Sequence, residues 1–215
     1  MMNSLIIDCS AGLSLTIIKD KQEFIYLDNN EKRHSDELLS ELDSLLVKAG
    51  LKINQINNIC VCLGPGSFTG VRVAISVCKG LAIGTGCKVF ALTNFDMVDL
   101  KNNKNAIVIL DGFSEYVYAR IKNNDDIQDV CLSLKDLKEK IIELKYDVFV
   151  VDEKTQIKLK NNEILSIIAE NNIKNAFLDK IENQEDIEIS KIMPVYLRAS
   201  QAEIERNKRM AVGKK

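Results

Sequence analysis

One histidine, His34, occurs among the 215 residues, and that scarcity removes a class of chemistry. A zinc protease of the HExxH type needs two histidines one helical turn apart, so hydrolysis by that route is excluded. The six cysteines (Cys9, Cys60, Cys62, Cys78, Cys87 and Cys131) include no CxxC pair. Most of them sit in apolar runs, where a thiol behaves as a small hydrophobe, and reduced thiols are expected. Cys60 and Cys62 would face one side of a strand, but with a single histidine to help them no metal site is expected.

Long apolar runs are missing too: none approaches the roughly 20 residues of a membrane span. The start, Met1-Met2-Asn3-Ser4, has no basic segment leading into a signal-like core. A cytoplasmic chain without membrane contact is the expectation. Excess positive charge is also absent, since 29 Lys and Arg stand against 31 Asp and Glu, a net of -2. An autonomous nucleic-acid binder would be basic, so any contact with RNA is expected to be shared with another chain. The stretch Arg206-Asn207-Lys208-Arg209 with Lys214-Lys215 is locally basic, which suits either an RNA contact or a solvated helix end.

What is present is enough apolar material, 46 % of residues, for a packed domain or two small ones sharing an interface. Leu5-Ile6-Ile7-Asp8-Cys9, Leu13 to Ile18 and Glu23 to Leu27 read as three consecutive antiparallel strands, with turns at Ala11-Gly12 and near Asp20-Lys21. A helix follows, with Ser35 placed to cap it, Asp36 and Glu37 in its first turn and Gly50 as its stop. Leu38, Leu42, Leu45 and Ala49 form its apolar stripe, which Leu39 and Leu46 widen. Asn58 to Leu63 reads as a buried strand, residues 69–84 as a helix and Lys88 to Leu92 as a strand, giving the order βββαβαβ. The order restarts with Ile107 to Gly112 and Tyr116 to Ile121. A helix from Ser133 through Tyr146, a strand over Val148 to Asp152 and a helix from Glu163 to Asn171 continue it. Two ribonuclease H-like units, residues 1–100 and 101–215 with a terminal helix, are the simplest architecture that fits.

The most specific stretch is Gly64-Pro65-Gly66-Ser67-Phe68-Thr69-Gly70-Val71-Arg72, between a buried strand and a helix. It is not a Walker loop, because no Lys follows the second glycine to reach a terminal phosphate. Gly64, Gly66, Ser67, Thr69, Gly70 and Arg72 either form a structural strand-to-helix turn or present amides to an anion. The helix after it is apolar almost all round, with only Arg72, Ser76 and Lys79 as a polar stripe, so it must be covered on two sides. It is either a central core helix or part of a subunit interface. In the second case Leu39, Leu46, Gly70, Val73, Ala74, Val77, Gly80 and Leu81 are the candidate interface residues.

At these residues the chain resembles the TsaB (YeaZ) family. The shared features are the opening Ile-Ile-Asp strand, Arg33-His34-Ser35, the 64–72 loop, Lys79-Gly80-Leu81-Ala82 and Pro194-Val195-Tyr196-Leu197-Arg198. The match is nearly continuous over residues 5–98 and rests on element order alone over about 123–190. The resemblance implies an α/β fold of the actin-like ATPase superfamily (ASKHA) with two ribonuclease H-like subdomains. It implies a non-catalytic subunit that pairs with TsaD through the two N-terminal helices, or with itself when free, and meets TsaE through the TsaD complex. That complex forms N6-threonylcarbamoyladenosine next to the tRNA anticodon, so tRNA would be an indirect partner. ATP and a metal are expected in the partner subunits, whose catalytic member needs an HxxxH pair, and neither is expected on this chain. Where the family commonly has Asp-Ala-Arg, this sequence has Asp111-Gly112-Phe113, so any role of that arginine does not carry over.

The rival is a small-molecule kinase or ATPase of the same superfamily, which would hold ATP and magnesium between its halves using Asp8 and Asp111. Neither aspartate is followed by a Gly-Thr-rich turn that wraps phosphates. Carboxylates that bond nearby backbone amides are the simpler reading of both.

Overall fold

The structure, a computed structural model, describes residues 2–28, 34–100, 103–144, 146–169 and 172–198. Strands β1 (Ser4–Asp8), β2 (Leu13–Lys19) and β3 (Gln22–Asp28) form the expected antiparallel meander. Asp20 and Lys21 take φ of 48° and 70°, the paired left-handed conformations of a tight hairpin turn. Strands β4 (Asn58–Cys62) and β5 (Lys88–Leu92) then add in parallel, completing the order β3-β2-β1-β4-β5. Parallel strands need crossovers, and α1 (His34–Ala49) and α2 (Phe68–Thr85) supply them on one face of the sheet. Leu38, Leu42, Leu45, Leu46 and Ala49 of α1 and Val71, Ala74, Ile75, Cys78 and Ala82 of α2 pack there against Leu5, Ile7, Ile59 and Val61. Gly50 ends α1 at φ 62°, with its N–H on the Val47 carbonyl at 3.0 Å and that of Leu51 on Leu46 at 2.9 Å. The side chains of His34, Ser35 and Asp36, and all of Arg33, lie outside the described residues, as does the basic stretch beyond residue 198.

The second half repeats the pattern. Strands β6 (Asn105–Asp111), β7 (Tyr116–Asn123) and β8 (Asp126–Ser133), helix α3 (Leu134–Leu144), strand β9 (Asp147–Val150), helix α4 (Glu153–Lys160) and strand β10 (Ile167–Ile168) follow in chain order. They form a sheet β8-β7-β6-β9-β10, the first sheet's connectivity again. Two ribonuclease H-like units in tandem are the fold of the actin-like ATPase superfamily. Helix α5 (Ile173–Glu182) then crosses back to the first sheet, burying Phe177 among Ile6, Ile18, Cys60, Phe90 and Leu92 on the face opposite α1 and α2.

Two sequence expectations need correction. The helix expected from Glu163 to Asn171 does not form over its described residues, 163–169: Glu163 turns the chain at φ 61°, and Leu165 is 90 % exposed. The helices are instead α4, capped by Asp152 accepting from the Thr155 N–H at 2.7 Å, and α5. Strand β8 leaves no clear mark in the sequence pattern, because it is an edge strand in which no residue is fully buried. Ser133 caps α3 as its sequence position predicts, its hydroxyl accepting from the Asp136 N–H at 3.1 Å.

Arg120 on β7 ties the connecting segment to the second sheet. Its Nη1 donates to Asp96 Oδ1 at 2.5 Å, while Nε and Nη2 donate to the two Asp129 oxygens at 2.7 and 2.8 Å. Burial pushes the Asp96 carboxyl up, but the Thr93 N–H and the Arg120 guanidinium more than offset it and hold the group below the usual carboxylate range. A depressed carboxylate stabilises the fold above its unfolded pKa of about 3.9, and that contribution is lost as pH falls through the folded value. Arg120→Met is expected to cost about 2 kcal/mol at pH 7, a value reduced for partial exposure, because it leaves two half-buried carboxylates unpaired. Urea denaturation is expected to show the deficit shrinking as pH falls below about 4, through the depressed folded value of Asp96.

Candidate functional site

The loop between β4 and α2 sits against the turn that follows β1. A Cβ on Gly66 would lie 2.4 Å from the Ser10 carbonyl oxygen, and one on Gly70 would lie 2.1 Å from that of Cys9. These glycines let two backbones touch. The Ser67 N–H donates to the Ser10 carbonyl at 2.7 Å, and the Ser67 hydroxyl caps α2 by accepting from the Gly70 N–H at 3.2 Å. Gly64 takes φ 88°, and its carbonyl accepts from the Asn94 N–H at 2.9 Å. Asn94 is buried and central: its Nδ2 donates to the Pro65 carbonyl at 2.8 Å and to Ser10 Oγ at 2.9 Å, and its Oδ1 accepts from Cys62 Sγ at 3.1 Å. The Ser67 and Gly70 amides of this loop are therefore engaged within the protein, while Thr69 and Arg72 reach the surface.

Arg72 joins two distant motifs. Its guanidinium lies 3.7 Å above the Phe68 ring, and its Nε donates to the Tyr196 hydroxyl at 2.6 Å. Nothing in the residue pattern pairs positions so far apart, although both belong to stretches that carry the family resemblance. Beside them, the Val195 N–H donates to the Leu63 carbonyl at 2.9 Å.

The two strand-end aspartates are occupied. Asp8 Oδ1 accepts from the Ser10 N–H at 2.8 Å. Asp111 bonds Lys158 through Oδ1 and Lys154 through Oδ2, each at 2.9 Å. Burial pushes the Asp111 carboxyl up, but Lys158 and Lys154 outweigh it and hold the group below the usual range. A magnesium ion would have to displace two ammonium groups to reach this carboxylate.

Burial raises the thiols of Cys9, Cys60, Cys62 and Cys78, those of Cys9 and Cys78 to about 12. These side chains are protonated core groups at neutral pH. Among the described residues no group of three His, Cys, Asp or Glu side chains could hold a metal ion.

The third feature is the outer surface of α1 and α2, which lie side by side. Leu39 is 57 % exposed, Val47 79 % and Ile83 74 %. Val73, Val77 and Leu81 are half-buried, resting on the core with one side outward. Ser76, Gly80 and Gly84 recur every fourth residue, so they share a stripe, and a Cβ on either glycine would meet nothing within 4 Å. Leu46, Gly70 and Ala74 are removed from the candidate surface, because they are buried in the chain's own core. Val47 and Ile83 lie outside the candidate set, and their places on the exposed stripes follow from the helical period. By length and composition α2 is apolar enough to cross a membrane, with a mean hydropathy of 1.2, but its inner side packs on β4 as a core helix does.

A family model described as TsaD: tRNA N6-adenosine threonylcarbamoyltransferase matches residues 28–147, more than half of the chain. The chain belongs to this family. Within it, the chain groups with the TsaB (YeaZ) proteins. It is 31 % identical over 93 residues to the tRNA threonylcarbamoyladenosine biosynthesis protein TsaB of Haemophilus influenzae, an alignment covering 41 % of this chain and 39 % of that protein. The chain thus spans less than half the length of this relative. Against TsaB of Bacillus subtilis the identity is 24 % over 197 residues, covering 83 % of this chain and 85 % of that one. In fold it is similar to a Pseudomonas aeruginosa protein described as similar to peptidase YeaZ. The TM-score is 0.73 at 19 % identity, covering 92 % of this chain and 100 % of that one.

Proposed function

We propose that this chain is a non-catalytic subunit in the biosynthesis of tRNA threonylcarbamoyladenosine, pairing with the catalytic subunit TsaD through the outer surface of α1 and α2. The observation that carries the reading is the bare glycine stripe of α2. A glycine in the middle of a helix, as Gly80 is, costs about 1 kcal/mol relative to alanine, Gly84 follows one turn later in the last turn of α2, and in the free chain neither packs on anything that needs the space. A second helix lying close across Ser76, Gly80 and Gly84, flanked by Val73, Val77 and Ile83, would use it. The double ion pair at Asp111 supports a scaffold over a phosphotransferase. TsaE enters through the TsaD pair, tRNA is met indirectly, the free chain can pair with itself on the same surface, and the setting is the cytoplasm.

The test is reconstitution with TsaD, TsaE, tRNA and threonylcarbamoyl-AMP. Folded Asp8→Asn is expected to support near wild-type modification, since an asparagine Oδ1 can still accept from the Ser10 N–H. Folded Val73→Glu is expected to support little. Loss of modification in Asp8→Asn with the complex still assembled would overturn the scaffold reading.

A further inference from the structure

We propose that residues 192–198 are a strap joining the two halves, and that the Arg72–Tyr196 contact is its latch, coupling occupancy of the α2 surface to the second sheet. The coupling rests on the association reading above; the latch itself does not.

The strap starts in one half and ends in the other. Ile192 is 1 % exposed within the core between the first sheet and its helices, and Val195 bonds the chain just beyond β4. Tyr196 stacks beside Phe68 with ring centroids 5.0 Å apart and accepts from Arg72. Leu197 packs against the cluster of Phe95, Val98, Val108 and Leu110, which belongs to the second sheet and the connecting segment. Arg198 lies 3.1 Å above the Phe113 ring, and Phe113 stacks on Tyr116 across the β6–β7 turn. Two residues of chain span at most about 7 Å, so Tyr196 and Arg198 are held within that reach of each other. A displacement of the Tyr196 ring is passed directly to the β6–β7 turn.

The anchors differ in depth, and that makes the middle one responsive. Ile192 is sealed from water, whereas Arg72 is exposed and Tyr196 is 45 % exposed. Water competes with a cation stacked on an exposed ring, and the same contact is several-fold stronger once covered. Arg72 lies one turn before Ser76, at the head of the exposed stripe that continues through Gly80 and Gly84 and belongs to the association surface. A partner seated there therefore covers the latch and tightens it. Linkage makes the effect reciprocal: a closed latch raises affinity for the partner.

Hydrogen exchange followed by mass spectrometry tests both parts, using folded wild type, Arg72→Ala and Tyr196→Phe. In the free protein, Arg72→Ala is expected to exchange about fivefold faster than wild type over residues 112–118, with β1 and β4 unchanged. Tyr196→Phe, which keeps the ring but loses the hydroxyl acceptor, is expected to fall between them. Adding TsaD is expected to slow exchange over 112–118 in wild type and not in Arg72→Ala, and to bind Arg72→Ala about fivefold more weakly. Unchanged exchange in free Arg72→Ala overturns the latch. Equal protection of wild type and Arg72→Ala by TsaD overturns the coupling. Failure of the association reading is visible separately, as wild-type affinity of Val73→Glu for TsaD, and it removes the coupling while leaving the free-protein result to decide the latch.

Discussion

Replacing Gly80 with leucine is expected to leave the free protein as stable as wild type, or up to about 1 kcal/mol more stable, while weakening its association with TsaD roughly thirtyfold or more. The two effects have opposite signs for one reason. Nothing lies within 4 Å of a Cβ at Gly80, so the new side chain enters open space and the helix gains a better former. A partner helix that uses the gap meets that side chain instead, and overpacking of about 2 kcal/mol corresponds to the stated loss. Val73→Glu attacks the same surface by charge and is expected to abolish association, but it also touches the core, so its loss of binding needs a folding control. Thermal denaturation and titration calorimetry on the same preparations check the pair. A Gly80→Leu protein that binds TsaD as wild type does would move the association surface elsewhere.

The second large effect is expected at Gly70. Alanine favours helix, and Gly70 lies in the first turn of α2, so propensity alone predicts stabilisation. The Cβ would instead sit 2.1 Å from the carbonyl oxygen of Cys9, a residue just past β1 whose side chain is anchored in the core. Gly70→Ala is therefore expected to cost upwards of about 3 kcal/mol, the high end for overpacking, and Gly66→Ala nearly as much through its 2.4 Å approach to Ser10. Since a domain is stable by only about 5–15 kcal/mol, either change is expected to lower the urea midpoint sharply. A stabilised Gly70→Ala would show that the β1 turn moves freely, contrary to the hydrogen bond from Ser67 to Ser10.

These contrasts show what the residue order could and could not reveal. The first sheet was legible because β1, β2 and β4 are dense in apolar residues and Gly50 marks a helix end. In the second half the signal thins for physical reasons. Strand β8 is an edge with half-exposed side chains, α4 buries little beyond Thr155 and Leu159, and Ile164-Leu165 with Ile167-Ile168 mimics a helical stripe while forming a turn and a short edge strand. The site divides the same way. The glycines of the 64–72 loop announce a backbone constraint, but which backbone they approach depends on the fold. The lysines that neutralise Asp111 lie on a helix that periodicity did not find, and the partner of Arg72 lies 124 residues away.

The return of α5 to the first sheet has a consequence for how the protein is made. A ribosome releases Ile6, Cys60, Phe90 and Leu92 long before Phe177, the aromatic side chain that covers them. At about 5–20 residues per second the wait is on the order of ten seconds. During it the first sheet can close over α1 and α2, yet its opposite face stays bare and apolar, a surface suited to chaperones that shield nascent chains. A message truncated before Ile173 would therefore yield not half a subunit but an aggregation-prone sheet with one side uncovered.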